Sequence, residues 1–409
     1  MTPFRLVLFD DDYREQLLPL AWTRPVADFR IGIFTIREKW EKRLSTISTT
    51  WTSEYLAAYQ WPFEPDPALQ QLWINARVLP SDALVEDVRS LKPGEVLLKG
   101  EMIVAVNAGN ETGELKAWSK DHLHLAGDYG VKQSKAPAIT IHRIHDLFTH
   151  NGKALMEDFE LLKGTESRPL SKTNVVIGNN PVFLENDVIA ECCVFNTVKG
   201  PVYIGKGAEI MEGSLLRGPL AIGNGATVKM GAKIYGDTTI GPGCKVGGEI
   251  VNSIFFANSN KAHDGFLGNS VIGEWCNLGA DTNCSNLKNN YGSVGVWNYA
   301  INANEDSGLQ FHGLIMADHA KCGINTMFNT GTVAGVASNI FGGSFPPKFI
   351  PDFAWGGVNG FTEYQFEKVL ETIQKVYGRR AKELGEKERV LLRAIFQKTA
   401  AFRAKIGTD

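Results

Sequence analysis

Apolar residues at every sixth position dominate the middle of the chain. One uninterrupted series consists of Ile204, Ile210, Leu216, Ile222, Val228, Ile234, Ile240 and Val246. Neither the 3.6-residue period of a helix nor the alternation of a strand produces a fixed period of six. A hexapeptide β-helix does, because one apolar side chain of each short strand points into a prism and small residues occupy the corners. The same spacing resumes further along, at Ile272, Leu278, Met316, Cys322, Phe328, Ala334 and Ile340. The pattern predicts a parallel β-helix over residues 175–343.

The period of six breaks twice, and each break predicts a loop that leaves the prism. Val246 and Ile272 are separated by 26 residues, which is not a multiple of six. This offset predicts an excursion over residues 249–266. A second excursion is predicted over residues 286–310. A solenoid needs no such insertions for stability, and binding sites usually lie on them.

The regions on either side of the repeat have other periodicities. Residues 1–150 read as a mixed α/β domain, with strand-like runs such as "FRLVLFD" and helical spacing over residues 36–44. Residues 151–174 are predicted to continue a helix into a linker. Residues 344–409 begin with a segment rich in proline and aromatic residues and then become helical, so we expect a C-terminal helical tail.

Composition narrows the possible functions. The formal net charge of −3 provides no global field for nucleic acid or anionic membranes. No apolar run reaches the roughly 18 residues of a membrane-spanning helix. The six cysteines have no metal-binding spacing, which favours a reducing, cytoplasmic compartment. His312 and His319 are too few to indicate a histidine-bound metal, and none is predicted.

The segment "HDGFLGNSVIGEWCNLGADTNCSNLK", which begins at His263, carries a family resemblance. From residue 173 to residue 343 the chain resembles left-handed β-helix acyltransferases. It is most similar to the C-terminal half of bifunctional N-acetylglucosamine-1-phosphate uridylyltransferases/glucosamine-1-phosphate acetyltransferases. The resemblance implies a left-handed prism, acetyl-CoA as acyl donor and a sugar phosphate as acceptor. It also implies a homotrimer with active sites between neighbouring prisms, working in nucleotide-sugar and cell-envelope biosynthesis.

The resemblance also implies roles for individual residues. His263 falls on the family's catalytic base, and Asn277 falls in the same catalytic pocket. Four further residues align with substrate-contacting positions of the family or are the nearest candidates for such positions: Lys229, Phe266, Asn286 and Lys288. A neutral imidazole suits the task of the base, since it accepts a proton near neutral pH. The alternatives are an idle surface histidine, an asparagine ladder along the rungs and a solvated lysine.

The first 150 residues resemble sugar-1-phosphate nucleotidyltransferases through "PLAWTRP" at residues 19–25. The phosphate-cradling loop after the first strand is replaced by "FDDDYREQLLPL", which lacks glycine and carries three aspartates. Val26 replaces the family's lysine, and Arg77 replaces its metal-binding aspartate. We therefore expect nucleotidyl transfer from UTP or dTTP to be weak or altered, with Mg²⁺ needed only where that activity is retained.

Four basic residues of the front domain remain candidates for a phosphate-binding cleft: Arg14, Arg24, Arg77 and Lys99. The alternative is that they have structural roles. Three functions stay open at this point. They are acetyl transfer coupled to nucleotidyl transfer, acetyl transfer with a non-catalytic front domain, and non-catalytic binding of nucleotide sugars or assembly.

Overall fold

A computed structural model describes residues 4–57, 69–110 and 129–404. The described chain divides into two compact units. The first unit comprises the described parts of residues 1–17, 23–29 and 34–142. The second comprises those of residues 18–22, 30–33 and 143–409. No helix in these described ranges is both long enough and apolar enough to cross a membrane.

A six-stranded mixed sheet forms the centre of the first unit. Its strands are β1 (Phe4–Phe9), β2 (Ser48–Trp51), β3 (Gln70–Asn75), β4 (Glu95–Lys99), β5 (Met102–Gly109) and β6 (Gly130–Gln133). Their order is β2-β1-β3-β5-β4-β6, and only the pairings of β5 with β3 and with β4 are antiparallel. Val7, Phe9 and Trp73 belong to the buried cluster beneath the sheet.

Short helices connect the strands of this unit. The α-helices are α1 (Ile36–Leu44), α2 (Glu54–Ala57) and α3 (Asp82–Arg89), with 3-10 turns at Asp12–Leu17 and Val26–Asp28. The start of α1 is fixed by a capping box, in which the Thr35 side chain accepts from the Glu38 amide and the Glu38 side chain accepts from the Thr35 amide. A third 3-10 turn, Leu20–Trp22, belongs to the second unit.

The second unit is a prism whose three faces are parallel sheets. The first face consists of Val175–Ile177, Val194–Asn196, Leu215–Arg217, Lys233–Ile234, Glu249–Val251 and Phe266–Gly268, with Asn283–Cys284 and Met327–Phe328 as a separate pair. The second face consists of Val182–Leu184, Val202–Ile204, Leu220–Ile222, Thr238–Ile240, Ile254–Phe255, Val271–Ile272, Ile315–Met316, Val333–Ala334 and Phe349–Ile350. The third consists of Ile189–Ala190, Glu209–Ile210, Thr227–Val228, Lys245–Val246, Asn260–Lys261, Asn277–Leu278, Lys321–Cys322, Asn339–Ile340, Ala354–Gly357 and the antiparallel Gly360–Glu363.

The period of six has the predicted physical origin. The eight apolar residues from Ile204 to Val246 are all buried in one continuous core. Tight corners need small residues: a Cβ placed on Gly241 would lie 1.6 Å from the Phe256 carbonyl oxygen of the next coil. The predicted fold class is confirmed, with an α/β domain, a left-handed parallel β-helix and C-terminal helices.

The predicted excursion over residues 249–266 is wrong, because this segment stays within the prism. Its four strands pair with the coils on either side. The inward positions are Val246, Ile250, Phe255, Lys261, Leu267 and Ile272. The step between inward residues shrinks from six to four where only Gly247 and Gly248 separate two strands. It is five from Ile250 to Phe255 and again from Leu267 to Ile272. Shortened corners, not an insertion, cause the break in the sequence pattern.

The predicted second excursion is confirmed. The chain leaves the prism after Asn283–Cys284 and returns at Ile315–Met316, which pairs with Val271–Ile272. Between these points Gly295–Asn298 and Ala303–Asp306 form an antiparallel hairpin. Leu287 and Phe311 form an isolated bridge that closes the root of the excursion.

Helices cover parts of the prism within the second unit. The first of them, α4 (Asp146–Glu160), begins before the predicted boundary at residue 150. It packs closely, since a Cβ on Gly152 would lie 2.1 Å from Asp237 Oδ1. Asn151 Nδ2 donates to the Asp237 carbonyl at 2.8 Å. The C-terminal helices are α5 (Phe366–Gly378), α6 (Glu386–Lys398) and α7 (Ala400–Arg403).

Two histidines are buried where the excursion returns to the prism. The rings of His312 and His145 lie 5.6 Å apart, and Phe148 of α4 contacts His312 at a ring distance of 5.3 Å. Burial lowers the pKa of His312 to about 4, with smaller contributions from the charges of His145 and Lys348. Burial also lowers the pKa of His145.

These pKa values predict a loss of stability in mild acid. Unfolded His312 binds a proton near pH 6.5, whereas the folded residue stays neutral until about pH 4. Stability therefore falls as pH drops through this window, by about 2 kcal/mol at pH 5 relative to pH 8. His312→Gln should flatten the decline in denaturant titrations at several pH values. Curves of equal slope for the two proteins would contradict the assignment.

Candidate active site

His263 lies at a corner of the prism, between the strands Asn260–Lys261 and Phe266–Gly268, and it is exposed to solvent. Lys229 lies along the same edge. A Cβ placed on Gly247 would be 3.2 Å from Lys229 Cβ and 2.4 Å from the Ala262 carbonyl oxygen. Gly247 is thus flanked by Lys229 on one side and by the residue preceding His263 on the other. The structure brings the predicted base and the predicted phosphate ligand to one edge.

The shortened coil changes the shape of this edge. The corner that contains His263 has four residues, 262–265. The corresponding corner of the preceding coil, at the same edge of the prism, has only Gly247 and Gly248. Gly248 has φ of 74°, and a Cβ there would lie 3.0 Å from the His263 carbonyl oxygen. No other residue type fits such a position without strain. The longer His263 corner consequently lies directly against the shortened corner, and its imidazole stays exposed to solvent.

Asn277 lies on the outer surface of the face that leads into the next corner. It is exposed, and its Oδ1 accepts a hydrogen bond from Asn260 Nδ2 at 2.8 Å. Asn277 is also in register with Lys321 of the following coil. This contact is a single asparagine pair flanked by Lys245 and Lys321 in register, and it orients the Asn277 amide.

Phe266 and Asn286 meet at the strand that follows the His263 corner. A Cβ on Gly268 would lie 2.8 Å from Phe266 Cζ and 2.6 Å from Asn286 Nδ2. Asn286 Nδ2 also donates to Asn269 Oδ1 at 2.8 Å. The side chains of Phe266 and Asn286 thus pack over Gly268, which has no side chain of its own, on the outer surface of the first face.

Lys288 lies at the root of the excursion and is half-buried. Its Nζ donates to the Ser293 carbonyl oxygen. Asp306 of the hairpin lies near enough for the Lys288 charge to contribute to the lowered pKa of its carboxyl, after hydrogen bonds from Gly308 and Ser293. In this arrangement the Lys288 ammonium makes its contacts within the excursion.

Sequence reasoning missed Lys261 and Asn283 at this corner. Asn283 Oδ1 accepts from the Phe266 amide at 2.8 Å and ties the strand after the corner to the next coil. Lys261 points inward and is 1% exposed. The sequence signal for Lys261 is a charged residue at a position where the repeat requires an apolar one. Because the repeat changes phase after Val246, this position could not be recognised as inward from the sequence.

In the first unit, two of the three aspartates of "FDDDYR" are paired with arginines. Arg77 is 1% exposed, and its Nε and Nη2 donate to the two carboxylate oxygens of Asp11 at 2.7 and 2.5 Å. Arg77 Nη1 also donates to the Ile141 carbonyl oxygen at 3.1 Å. Arg14 Nε lies 3.3 Å from Asp10 Oδ2, and its Nη2 donates to the Tyr55 hydroxyl at 2.8 Å. The first turn thus carries two arginine–aspartate pairs.

Asp10 accepts two hydrogen bonds in addition to its ion pair with Arg14. Its Oδ1 accepts from the Val26 amide at 3.0 Å, and its Oδ2 accepts from the Thr52 hydroxyl at 2.6 Å. Burial raises the pKa of Asp10 to about 6, against the opposing effects of Arg14 and these hydrogen bonds. The Val26 amide therefore binds a carboxylate at the point where the family motif continues with lysine.

The other two predicted phosphate ligands are also held by the protein. Lys99 Nζ donates to the Ala136 carbonyl oxygen at 2.6 Å. Arg24 is 8% exposed. Of the four basic residues proposed for the cleft, three are therefore buried, and Lys99 has a backbone ligand of its own.

The fit of this region to Mg²⁺ is poor. A Mg²⁺ site uses carboxylate oxygens with several waters, and Asp10 and Asp11 are already committed to arginines. Within residues 4–57, 69–110 and 129–404, no cluster of three or more His, Cys, Asp or Glu residues is placed to hold a metal ion. We therefore derive no catalytic step through a metal.

Comparison with known proteins supplies an independent description of the chain. Residues 6–167, less than half of the sequence, match the family model for sugar nucleotidyl transferase. Over 87 residues the chain is 34% identical to the bifunctional protein GlmU of Methanocaldococcus jannaschii. That match covers 21% of this chain and 21% of the relative, so the chain spans about a fifth of the length of this curated protein. Both findings indicate a transferase.

The chain also matches two solved structures at low sequence identity. They are UDP-N-acetylglucosamine acyltransferases from Arabidopsis and from Francisella novicida, with sequence identities of 14% and 13% and TM-scores of 0.24 and 0.25. The matches cover 57% and 58% of this chain and 91% of each solved chain.

Proposed function

We propose that this protein transfers an acetyl group from acetyl-CoA to the amine of an amino sugar-1-phosphate. One observation carries the proposal. An exposed histidine, His263, lies at a corner of the prism beside a shortened coil, and Lys229 lies on the same edge. A proton acceptor and a cation are therefore available along one edge of the prism.

The chemistry required of these residues is limited. The sugar amine attacks the thioester carbonyl carbon, the C–S bond breaks, and the nitrogen loses a proton. In the proposal His263 takes that proton, a step typically worth about 10²–10⁴ in rate. The ammonium of Lys229 holds the sugar phosphate, and Asn277 and Asn286 offer amides to the sugar hydroxyls. Holding amine and thioester together supplies a further part of the acceleration.

The experiment that tests this function uses acetyl-CoA labelled in its acetyl group and glucosamine-1-phosphate. Transfer of label to the sugar phosphate supports the proposal, and glucose-1-phosphate, which has no amine, is the matched control acceptor. If neither this amino sugar phosphate nor its galacto and 4-amino analogues becomes labelled, the acyltransferase proposal fails. A non-catalytic protein that binds nucleotide sugars then becomes the leading alternative.

The role of the front domain is a separate question. The match of residues 6–167 to sugar nucleotidyl transferase favours some nucleotide chemistry. The arginine–aspartate pairs in the first turn favour a domain that has lost it. We propose weak or absent transfer from UTP or dTTP. Robust Mg²⁺-dependent release of pyrophosphate from either nucleotide with a sugar-1-phosphate would overturn this part of the proposal.

We also propose a homotrimer in which neighbouring prisms complete each active site. The outer surface of the first face supports this, since Val175, Ile177 and Leu215 are about half exposed. Apolar side chains in such a row are typical of a contact surface. Sedimentation equilibrium at micromolar concentration should give three times the chain mass of 44.9 kDa. A stable monomer would exclude sites shared between subunits.

A further inference from the structure

One inward position of the third face is occupied by a cation. The inward residues of this face are, in order, Ala190, Ile210, Val228, Val246, Lys261, Leu278, Cys322 and Ile340. Lys261 pairs in register with Val246 and is 1% exposed. A buried ammonium is costly unless carbonyls or carboxylates replace its water. The presence of a lysine at this inward position is therefore not explained by the hexapeptide repeat.

The Lys261 ammonium binds the backbone of the His263 corner from inside the prism. Nζ donates to the carbonyl oxygen of His263 at 2.9 Å and to that of Asp264 at 3.2 Å. A third, longer contact of 3.4 Å reaches the Gly247 carbonyl oxygen of the shortened corner. The Lys261 side chain thus links the shortened Gly247 corner to the His263 corner of the next coil.

These contacts replace a backbone hydrogen bond that other coils make. In three coils of this face, the carbonyl two residues after the inward residue accepts a hydrogen bond from an amide of the next coil. Gly213 donates in this way to Cys192 at 3.0 Å, Gly231 to Glu212 at 3.0 Å, and Asn325 to Ala280 at 2.8 Å. In the His263 coil this carbonyl is that of His263, and its donor is the Lys261 ammonium. The His263 carbonyl is therefore held by a side chain of its own coil.

We infer that Lys261 is a positioning residue for the base, holding the backbone of the His263 corner in place so that the imidazole faces the acceptor amine. The inference rests on the proposed acetyl transfer. Desolvation by the prism lowers the pKa of Lys261 to about 8, opposed by the charges of Asp264, Cys322 and Asp281. Burying the charge is thus unfavourable for stability, and the compensation lies in the geometry of the corner.

The test is Lys261→Met, which keeps the length of the side chain and suits an otherwise apolar stack. Turnover should fall at least tenfold, KM for the sugar phosphate should stay within about twofold, and Tm should be unchanged or higher. Ile210→Met, at an inward position of the same face away from the corner, is the matched control and should leave all three unchanged. Unaltered turnover in folded Lys261→Met would overturn the inference. So would a lower Tm accompanied by a higher KM, since that result describes general packing.

A second measurement separates this inference from the proposed reaction. Hydrogen exchange of the Glu249 and Phe266 amides reports on the corner, because they donate to Gly265 and Asn283 at 3.2 and 2.8 Å. Exchange at both should be at least tenfold faster in Lys261→Met, even if no sugar is acetylated by the unmutated protein. Equal exchange in the two proteins would overturn the positioning role. If Lys261→Met does not fold, Lys261→Gln is measured in the same two ways.

Discussion

Replacing His263 by alanine is expected to lower the turnover of acetyl transfer by roughly 10²–10⁴, or about 2.7–5.5 kcal/mol in the barrier. The substrate amine must lose a proton as it attacks, and alanine accepts none. The affinity for acetyl-CoA should change little, because the imidazole is placed to act on the amine. Single-turnover assays with labelled acetyl-CoA, read beside an independent binding measurement, separate these two quantities.

The control for this variant concerns folding. His263 is exposed, so its loss should leave Tm within a degree or two, and His150→Ala on α4 provides a matched histidine away from the edge. A folded protein with normal turnover would remove His263 from the mechanism. A collapse of Tm would assign the side chain to the structure of the corner.

Replacing Arg77 by alanine is expected to destabilise the first unit by about 3–5 kcal/mol, the usual cost of removing one partner from a buried ion pair. Asp11 would keep its charge beside the space left by the guanidinium, and the Ile141 carbonyl would lose its donor. Urea unfolding, followed by tryptophan fluorescence and circular dichroism, measures the change. If Arg77 instead served only to bind phosphate, stability would be unaffected.

Two companion variants make the Arg77 result specific. Asp11→Asn combined with Arg77→Leu removes both charges and should recover much of the lost stability. Lys99→Ala removes a basic residue from the same proposed cleft, but its ammonium has a backbone carbonyl as ligand, so the expected loss is much smaller. A double variant as unstable as Arg77→Ala would show that packing, not charge, dominates.

The prism could be predicted from the sequence because its signal is strictly local. Each hexapeptide contributes one apolar residue, so Ile204 to Val246 reveal the fold without any knowledge of what lies beside them. The excursion after Asn283–Cys284 was also predictable, since a long insertion displaces the phase of the repeat. A change of phase alone does not distinguish an added loop from a shortened corner, and this ambiguity produced the incorrect loop over residues 249–266.

The candidate site was only partly predictable for a related reason. His263 stood out through its motif, but Lys261 has meaning only when it is known to point inward. The role of the aspartates after β1 was equally hidden. Asp11 meets Arg77 across a separation of 66 residues, and no local pattern links them. Interpreting all three aspartates as free carboxylates therefore missed the arginine partners of Asp10 and Asp11.

The short corner at Gly247 and Gly248 has a consequence for how such a protein can change. In the prism each strand forms its hydrogen bonds with the strands of the neighbouring coils. Residues that are removed at a corner therefore shorten one coil without shifting the strand pairing of the others. The stack continues undisturbed at Ile272 and Leu278. A corner can thus be shortened at any height of the prism while the later coils keep their alignment. A two-residue deletion can therefore change the outline of one edge without disturbing the rest of the fold.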